Sequence, residues 1–143
     1  MISWLVMITT KITESVITTL SIANEVKSEK AGAYVTFSGD VRNHDQGKTV
    51  RALIYEVHPT ATGVLQGIAE EVFKKYEVIS LSVAHRFGQI PIGESAFIAS
   101  VAAAHRAPAF VCCEEIVERV KSELPIWKYQ EFTDGTSEWV NSA

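Results

Sequence analysis

The chain has 143 residues, 47% of them hydrophobic and 21% charged, with a formal net charge of -4. This size and balance predict one soluble globular domain, residues 1–143, that buries a substantial core. The acidic balance argues against a nucleic-acid-binding protein, and no apolar run reaches the ~18 residues that span a bilayer.

The first half of the chain predicts one helix and two well-defined strands. Residues 1–8 are apolar and form either a first strand or a start extension upstream of Met7. The next elements follow from periodicity and capping residues. They are a helix at 20–30 that is capped at Thr18 and Thr19 and ended by Gly32, strands at 33–41 and 50–57, and a polar, mobile loop at 43–48.

The second half predicts two amphipathic helices and a terminal hairpin. A helix follows the break at 58–60 and ends near residue 76. A second helix begins around Pro108, ends at Leu124, and has an inward face of Phe110, Cys113, Val117, Val120 and Leu124. The remaining elements are strands at 78–87 and 95–104, a turn at 88–93, and strands at 126–132 and 137–140 joined across Asp134 and Gly135.

The order of these elements predicts an α/β (α+β) fold. Its sheet is mixed but largely antiparallel, and the helices pack on one face of it.

The sequence shows no motif for a metal ion or a nucleotide. The histidines lack a metal-ligand spacing, and we predict no metal and no cofactor. Cys112 and Cys113 are adjacent, which strains a disulfide between them. We interpret them as small buried hydrophobes in a reducing cytoplasm; a redox pair is the alternative.

The basic residues of interest occupy three separated segments, at 41–45, 104–106 and 121–128. Cations that folding gathers within an acidic protein suggest a site for an anion. Structural alternatives exist for each segment. They are an ion pair of Arg42 with Asp40 or Asp45, a hydrogen bond from His105 to a loop carbonyl, and stabilisation of a helix C-terminus by Lys121.

Lys121 and Lys128 lie on either side of Pro125. Because the chain must reverse between them, we expect both ammonium groups to meet in one cleft. A lysine in a partly dry pocket with other cations has a depressed pKa, which suits acid–base or nucleophilic chemistry.

Four segments together resemble the large, catalytic subunit of molybdopterin synthase. They are GAYVTFSGDVRNHD at 32–45, AHRFG at 84–88, SVAAAHR at 100–106 and KSELPIWK at 121–128, and EWV at 138–140 also fits. The resemblance spans residues 17–140 in collinear order, which makes it far more specific than any single segment.

The resemblance implies a hammerhead-type fold and a cytoplasmic homodimer within a heterotetramer. Each large subunit in that family binds a small, ubiquitin-like sulfur-carrier subunit, whose C-terminal Gly-Gly thiocarboxylate enters a pocket. Sulfur then passes to cyclic pyranopterin monophosphate and builds the dithiolene of molybdopterin. The implied activity is that of a sulfurtransferase. The carrier also needs an apolar docking patch, for which Ile126, Trp127 and Phe132 are candidates, although core packing is the favoured role for them.

The resemblance also implies functional residues. Lys121 and Lys128 correspond to the catalytic lysines, and the substrate-binding positions correspond to Asp40, Val41, Arg42, His105, Arg106, Lys121, Lys128, Tyr129 and Gln130. Asp40 stands where many relatives carry a basic residue. The chain ends at Ala143, whereas many relatives continue and can place a basic residue in the neighbouring subunit's site.

A different class of function stays open beside this one. On that alternative, the chain is a non-catalytic adaptor that binds an anion or a carboxylate tail. Two lysines weigh against it, since binding a tail needs only one.

Overall fold

The computed structural model describes residues 7–140, so most of the predicted element at 1–8 lies outside the described residues. The described chain contains three helices and nine strands. In order they are β1 (Ile8–Thr13), α1 (Thr19–Val26), β2 (Ala33–Asp40), β3 (His44–Asp45), β4 (Lys48–Val57), α2 (Ala61–Lys75), β5 (Ser80–Arg86), β6 (Gly88–Gln89), β7 (Ser95–Ala103), α3 (Arg106–Glu123), β8 (Ile126–Phe132) and β9 (Ser137–Val140).

Two sheets share these strands. The first has the order β1-β5-β7-β2, and the second has the order β3-β4-β8-β9 with β6 paired to β4. Among the described strands only β1 and β5 pair in parallel. The predicted α+β class with a largely antiparallel arrangement is therefore confirmed, although the chain forms two sheets.

The first sheet is covered on both faces, because successive residues of a strand point to opposite sides. Leu81 and Val83 of β5 belong to the large core that includes α2 and α3. Ala84 and Ile98 form a smaller cluster with Ile22 of α1. The prediction that all helices pack on one face is therefore wrong, since α1 covers the opposite face.

Two segments differ from their predicted conformations for local reasons. Residues 43–48 form the β3–β4 hairpin, with positive φ at Gln46 and Gly47, so the predicted mobile loop is a tight turn. Helix α1 ends at Val26, four residues early. There Ser28 accepts a hydrogen bond from the Lys30 backbone N–H, and its side chain competes with helix continuation.

Helix α3 turns the predicted face inward except at its first predicted position, Phe110. It begins at Arg106, and Phe110 is 57% exposed. The buried positions repeat every three or four residues and are Ala109, Cys112, Cys113, Ile116, Val117 and Val120. The prediction for Phe110 is wrong, because Ala109 holds the inward position at that end of the helix, whereas burial of Cys113, Val117, Val120 and Leu124 is confirmed. Burial of both cysteines is confirmed, and it raises the pKa of Cys112 to about 12 and of Cys113 to about 11.

The described helices include none that is both long and apolar enough to cross a membrane. The longest, α3, carries charged residues along its outer face.

Gly32 is required by a close approach between two chain segments. A Cβ built on Gly32 would lie 2.6 Å from the Ala104 carbonyl oxygen, just before His105. The carbonyl oxygen is a backbone atom and the Cβ is bonded directly to the backbone, so neither atom can move away without moving the chain.

Gly32→Ala is expected to lower the free energy of unfolding by about 1–3 kcal/mol, measured by urea unfolding, because the added methyl overpacks this contact. Gly67→Ala is the matched control. Gly67 lies within α2 with open space around its Cβ position, so alanine should stabilise the helix by up to about 1 kcal/mol. Equal effects of the two substitutions would contradict the close-approach explanation.

Candidate active site

A cleft of about 280 Å³, called the main cleft here, lies where the two sheets meet helix α3. Residues from six elements or their ends line it. They are Gly39, Asp40, Arg42, Tyr55, His85, Ala96, Phe97, Lys121 and Lys128. A smaller cavity of about 50 Å³, the side cleft, shares four of these residues and adds Val41, His44, Asp45, Leu53 and Gln130.

Arg42 lies just after the end of β2, where backbone hydrogen bonds hold the chain in place. The Val41 N–H donates to the Glu94 carbonyl at 3.0 Å, and the Val41 carbonyl accepts from the Gly93 N–H at 2.8 Å. These bonds fix the backbone just before Arg42. The Arg42 side chain is 65% exposed and lies 3.5 Å from an Asp45 carboxylate oxygen.

The two lysines arrive from elements on either side of Pro125. Lys121 lies in the last turn of α3, and Lys128 lies on β8 opposite Tyr55 of β4. Both line the main cleft, so the predicted meeting of the two lysines is confirmed.

The environment of Lys128 lowers the pKa of its ammonium group. Partial burial is the main cause, and the positive charges of Arg42 and Lys121 add to it. The carboxylates of Asp45 and Glu138 oppose the shift. The predicted depression of a lysine pKa is therefore confirmed at Lys128.

Gln130 holds the main counter-charge of the site. Its Nε2 donates to Asp45 at 2.7 Å and to Glu138 at 3.0 Å, and its side chain is buried. The hydrogen bond from Gln130 is the largest cause that lowers the pKa of Asp45, and Lys128 and Arg42 contribute further. Asp45 is thus ionised between two cations; the sequence suggested it only as an alternative partner for Arg42.

Asp40 lines both clefts, but its carboxylate already accepts hydrogen bonds from neighbouring hydroxyl groups. One oxygen accepts hydrogen bonds from Ser38 at 2.5 Å and from Ser95 at 2.8 Å. Asp40 therefore joins the end of β2 to the start of β7 and sits beside the cations.

Tyr129, unlike its neighbours in the chain, does not line either cleft. The alternation of β8 turns it away from Lys128, and its ring packs on Trp139 with centroids 4.9 Å apart. Ile126 and Phe132 are buried, which agrees with core packing and leaves only Trp127 of the candidate docking patch partly exposed.

His105 and Arg106 lie at the far end of the first sheet. Strand β7 starts opposite Asp40 and ends with Ala103 opposite Ala33. His105 then precedes α3, whose rise of 1.5 Å per residue places it about 24 Å from Lys121 along the helix axis. Within one chain, these two residues do not line the main cleft.

His85 is a lining residue that the sequence analysis did not single out. It is fully buried, stacks on Phe97 at 5.4 Å and meets Tyr55 edge-on at 5.1 Å. Burial lowers its pKa to about 4. Its segment, 84–88, contributed to the family resemblance, which was the available signal.

This arrangement suits an anion carried on a flat, partly apolar molecule. Three cations line one part of the cleft, and Tyr55, His85 and Phe97 add aromatic surface. Fixed cations in a sheltered site stabilise negative charge that develops during a reaction. No cluster of His, Cys, Asp or Glu within residues 7–140 has the makeup of a metal site.

Residues 12–123 match the family model described as MoaE protein. The molybdopterin synthase catalytic subunit of Thermoplasma volcanium is 38% identical over 130 residues, which cover 90% of this chain and 95% of that protein. The Bacillus subtilis subunit of the same name is 37% identical, with coverage of 91% and 83%. The crystal structure of molybdopterin synthase from Staphylococcus aureus superposes with a TM-score of 0.83 at 32% identity, covering 91% and 95%.

An α+β fold and a sequence that are shared with these proteins over nearly the whole chain define an enzyme subunit of cofactor biosynthesis. The chain belongs to the MoaE family of molybdopterin synthase catalytic subunits.

The neutral His85 ring should make the stability of the protein fall on acidification. The unfolded chain takes up this proton near the ordinary pKa of 6.5, but the folded chain only near 4. The unfolded state therefore binds more protons in that window, and folding loses up to about 3 kcal/mol as the pH falls through it.

Urea unfolding from pH 7 to pH 4 measures this contribution as the difference in the free energy of unfolding between wild type and His85→Phe. The difference should shrink as the pH falls below about 6.5. His44→Gln, which removes an exposed histidine, is the control. A wild-type advantage that stays constant across the window would refute the assignment.

Proposed function

We propose that the chain is the catalytic subunit of molybdopterin synthase and acts as a sulfurtransferase. It takes sulfur from the C-terminal thiocarboxylate of a small, ubiquitin-like carrier subunit, whose tail ends in Gly-Gly. It delivers the sulfur to cyclic pyranopterin monophosphate in the cytoplasm and so builds the dithiolene of molybdopterin. The convergence of Arg42, Lys121 and Lys128 on one cleft is the observation that carries this proposal.

Arg42 anchors the substrate phosphate on this proposal. Its planar guanidinium can hold two phosphate oxygens at once, and its exposure at the cleft mouth leaves it accessible. Asp45 holds the guanidinium loosely at 3.5 Å, so the arginine can exchange this carboxylate for a phosphate. The aromatic side chains of Tyr55 and Phe97 offer a surface for the pterin ring.

Lys121 faces the incoming thiocarboxylate and stabilises it, acting as an acid–base or transient covalent partner. Lys128 assists proton transfer and the opening of the cyclic phosphate, and its lowered pKa suits that role. Cys112 and Cys113 do not carry the sulfur, because both are buried and their raised pKa values suppress the thiolates.

A homodimer would complete the site, and the free edge of β2 supports one way to form it. Strand β2 is the last strand of its sheet among the described residues. It carries neither proline nor lysine, which often protect an edge. Beside it, Phe110 of α3 is exposed and borders an apolar groove with Val35 and Phe37. A second copy that pairs β2 with β2 about a two-fold axis would cover this surface.

This pairing would also bring His105 and Arg106 to the site. Antiparallel pairing about the middle of β2 places Ala33 of one chain opposite Asp40 of the other. Because Ala33 pairs with Ala103 in its own chain, His105 and Arg106 would then lie near the partner's main cleft. The dimer thus accounts for two substrate-binding residues that a single chain leaves far from the lysines.

Lys121→Ala is expected to lower single-turnover formation of the dithiolene by at least about 100-fold, because it removes the group closest to the transferred sulfur. The assay mixes the protein with thiocarboxylated carrier and cyclic pyranopterin monophosphate and detects the dithiolene product. Carrier affinity, measured by calorimetry, should change little. Lys30→Ala, on the surface beyond α1, is the control with unchanged turnover.

Equal losses of turnover and carrier binding in Lys121→Ala would remove its catalytic role. A wild-type protein that binds carrier but forms no product would favour the adaptor, which only recognises the carboxylate tail.

Mixed dimers test the sharing of cations between chains. One chain carries Lys121→Ala and the other Arg106→Ala, and two different tags allow purification of the mixed dimer. If Arg106 serves the partner's cleft, one of the two clefts is intact and about half of the wild-type activity returns. If Arg106 serves its own chain, neither cleft is intact and the mixed dimer stays as inactive as either parent.

A further inference from the structure

His85 occupies the inner wall of the main cleft and has a fixed ring orientation. It lies on β5, inside the first sheet, and its side chain is fully buried. The ring of Phe97 stacks on one face at 5.4 Å with an interplanar angle of 12°, and Tyr55 meets it edge-on. Rotation of the imidazole would break both contacts.

The hydrogen bond of Nδ1 determines which nitrogen carries the proton. Nδ1 lies 2.8 Å from the backbone carbonyl oxygen of Arg86. A carbonyl oxygen only accepts, so Nδ1 must donate. Burial lowers the pKa of this histidine to about 4, so the ring is neutral near pH 7 and Nε2 presents a lone pair.

Nε2 is buried and has no hydrogen-bond partner among residues 7–140. A buried polar atom without a partner is costly, by about 1–3 kcal/mol, and folded proteins rarely keep one without a reason. The ring lines the main cleft. Because Nδ1 is turned towards the chain's own backbone, Nε2 is the polar ring atom that can meet a bound molecule.

We propose that His85 is a substrate-binding residue whose Nε2 accepts a hydrogen bond from an N–H or O–H donor of the bound substrate. This inference rests on the proposed function, since it takes the main cleft as the substrate site. Arg42, Lys121 and Lys128 hold the anionic part, and His85 reads a donor on the rest of the molecule. The cleft therefore selects an anion that also carries a donor-bearing, flat ring.

The surroundings keep His85 an acceptor. Burial is the main cause that lowers the pKa of the ring, and the positive charge of Lys121 on α3 acts in the same direction. Phe97 stacks on the imidazole and Tyr55 meets it edge-on, so both contacts hold Nε2 in one position. Neutral acceptor and cations thus recognise different parts of one ligand, whereas a bare inorganic anion uses only the cations.

Two substitutions separate the roles of the two ring nitrogens. In His85→Gln, the side-chain amide oxygen reaches the position of Nε2, but the hydrogen bond that Nδ1 makes to the Arg86 carbonyl is lost. In His85→Asn, the amide nitrogen can still donate to the Arg86 carbonyl, but nothing occupies the Nε2 position. A purely structural histidine would tolerate asparagine better, and a substrate-binding one would tolerate glutamine better.

The experiment measures the Kd for binding of cyclic pyranopterin monophosphate to the complex of this protein with its carrier. The carrier used ends in an ordinary carboxylate, so that no sulfur is transferred. The Kd should rise about tenfold in His85→Asn and stay within about threefold of wild type in His85→Gln. Inorganic sulfate, which has no donor at neutral pH, should bind all three proteins equally. If the asparagine variant fails to fold, His85→Phe takes its place, because it keeps a ring against Phe97 but has no acceptor. Its Kd should then rise about tenfold.

The outcomes separate this inference from the proposed function. Wild-type substrate affinity in His85→Asn, or a loss confined to His85→Gln, overturns the role of Nε2 and leaves the synthase proposal standing. Equal losses for substrate and sulfate also overturn it, because the whole cleft is then distorted. A wild-type protein that does not bind the substrate overturns both.

Discussion

The organisation of this protein depends on holding three cations close together around one cleft. Arg42, Lys121 and Lys128 converge on one cleft. At Lys128, partial burial works against the charged form, and the positive charges of Arg42 and Lys121 add to this effect. Asp45 supplies one compensating charge, and the buried Gln130 keeps that carboxylate ionised and in place. The pKa of Lys128 nevertheless stays lowered, mainly because the group is partly buried. A cleft in this state favours an incoming anion.

Tight packing of the first sheet supports this arrangement. Strands β5 and β7 are buried on both faces, between α1 on one side and α2 and α3 on the other. Their small residues let the helices approach closely, and the same rigidity fixes the ring of His85 between Phe97 and Tyr55. Functional side chains then extend from the ends of elements that cannot shift independently. The position of α3 matters most, because it delivers Lys121 at one end and His105 and Arg106 at the other.

The length of α3 explains why the proposed active site depends on a dimer. A single chain separates its cations into a cleft group and a distant pair, about 24 Å apart along the helix. Antiparallel pairing of two β2 edges would reunite them across a two-fold axis, since the register of β2 with β7 ties the distant pair to the start of β2. On this view the dimer is part of the active site, and the exposed surface around Phe110 belongs to the interface.

Local sequence determined most of the elements and the identity of the main cations. The apolar spacing of α2, the Asp134–Gly135 hairpin and the separated segments around Arg42, Lys121 and Lys128 are properties of short stretches, and such patterns can be read directly. Less was visible where a single residue decides the outcome, as at the exposed Phe110 of α3, the early end of α1 and the tight turn at Gln46 and Gly47. Only the tertiary structure decided that Arg42 joins the two lysines while His105 and Arg106 lie far from them, that Asp45 and Gln130 lie beside these cations, and that Nε2 of His85 is buried there. These facts depend on sheet register and on burial between segments far apart in the chain, and no local pattern contains that information.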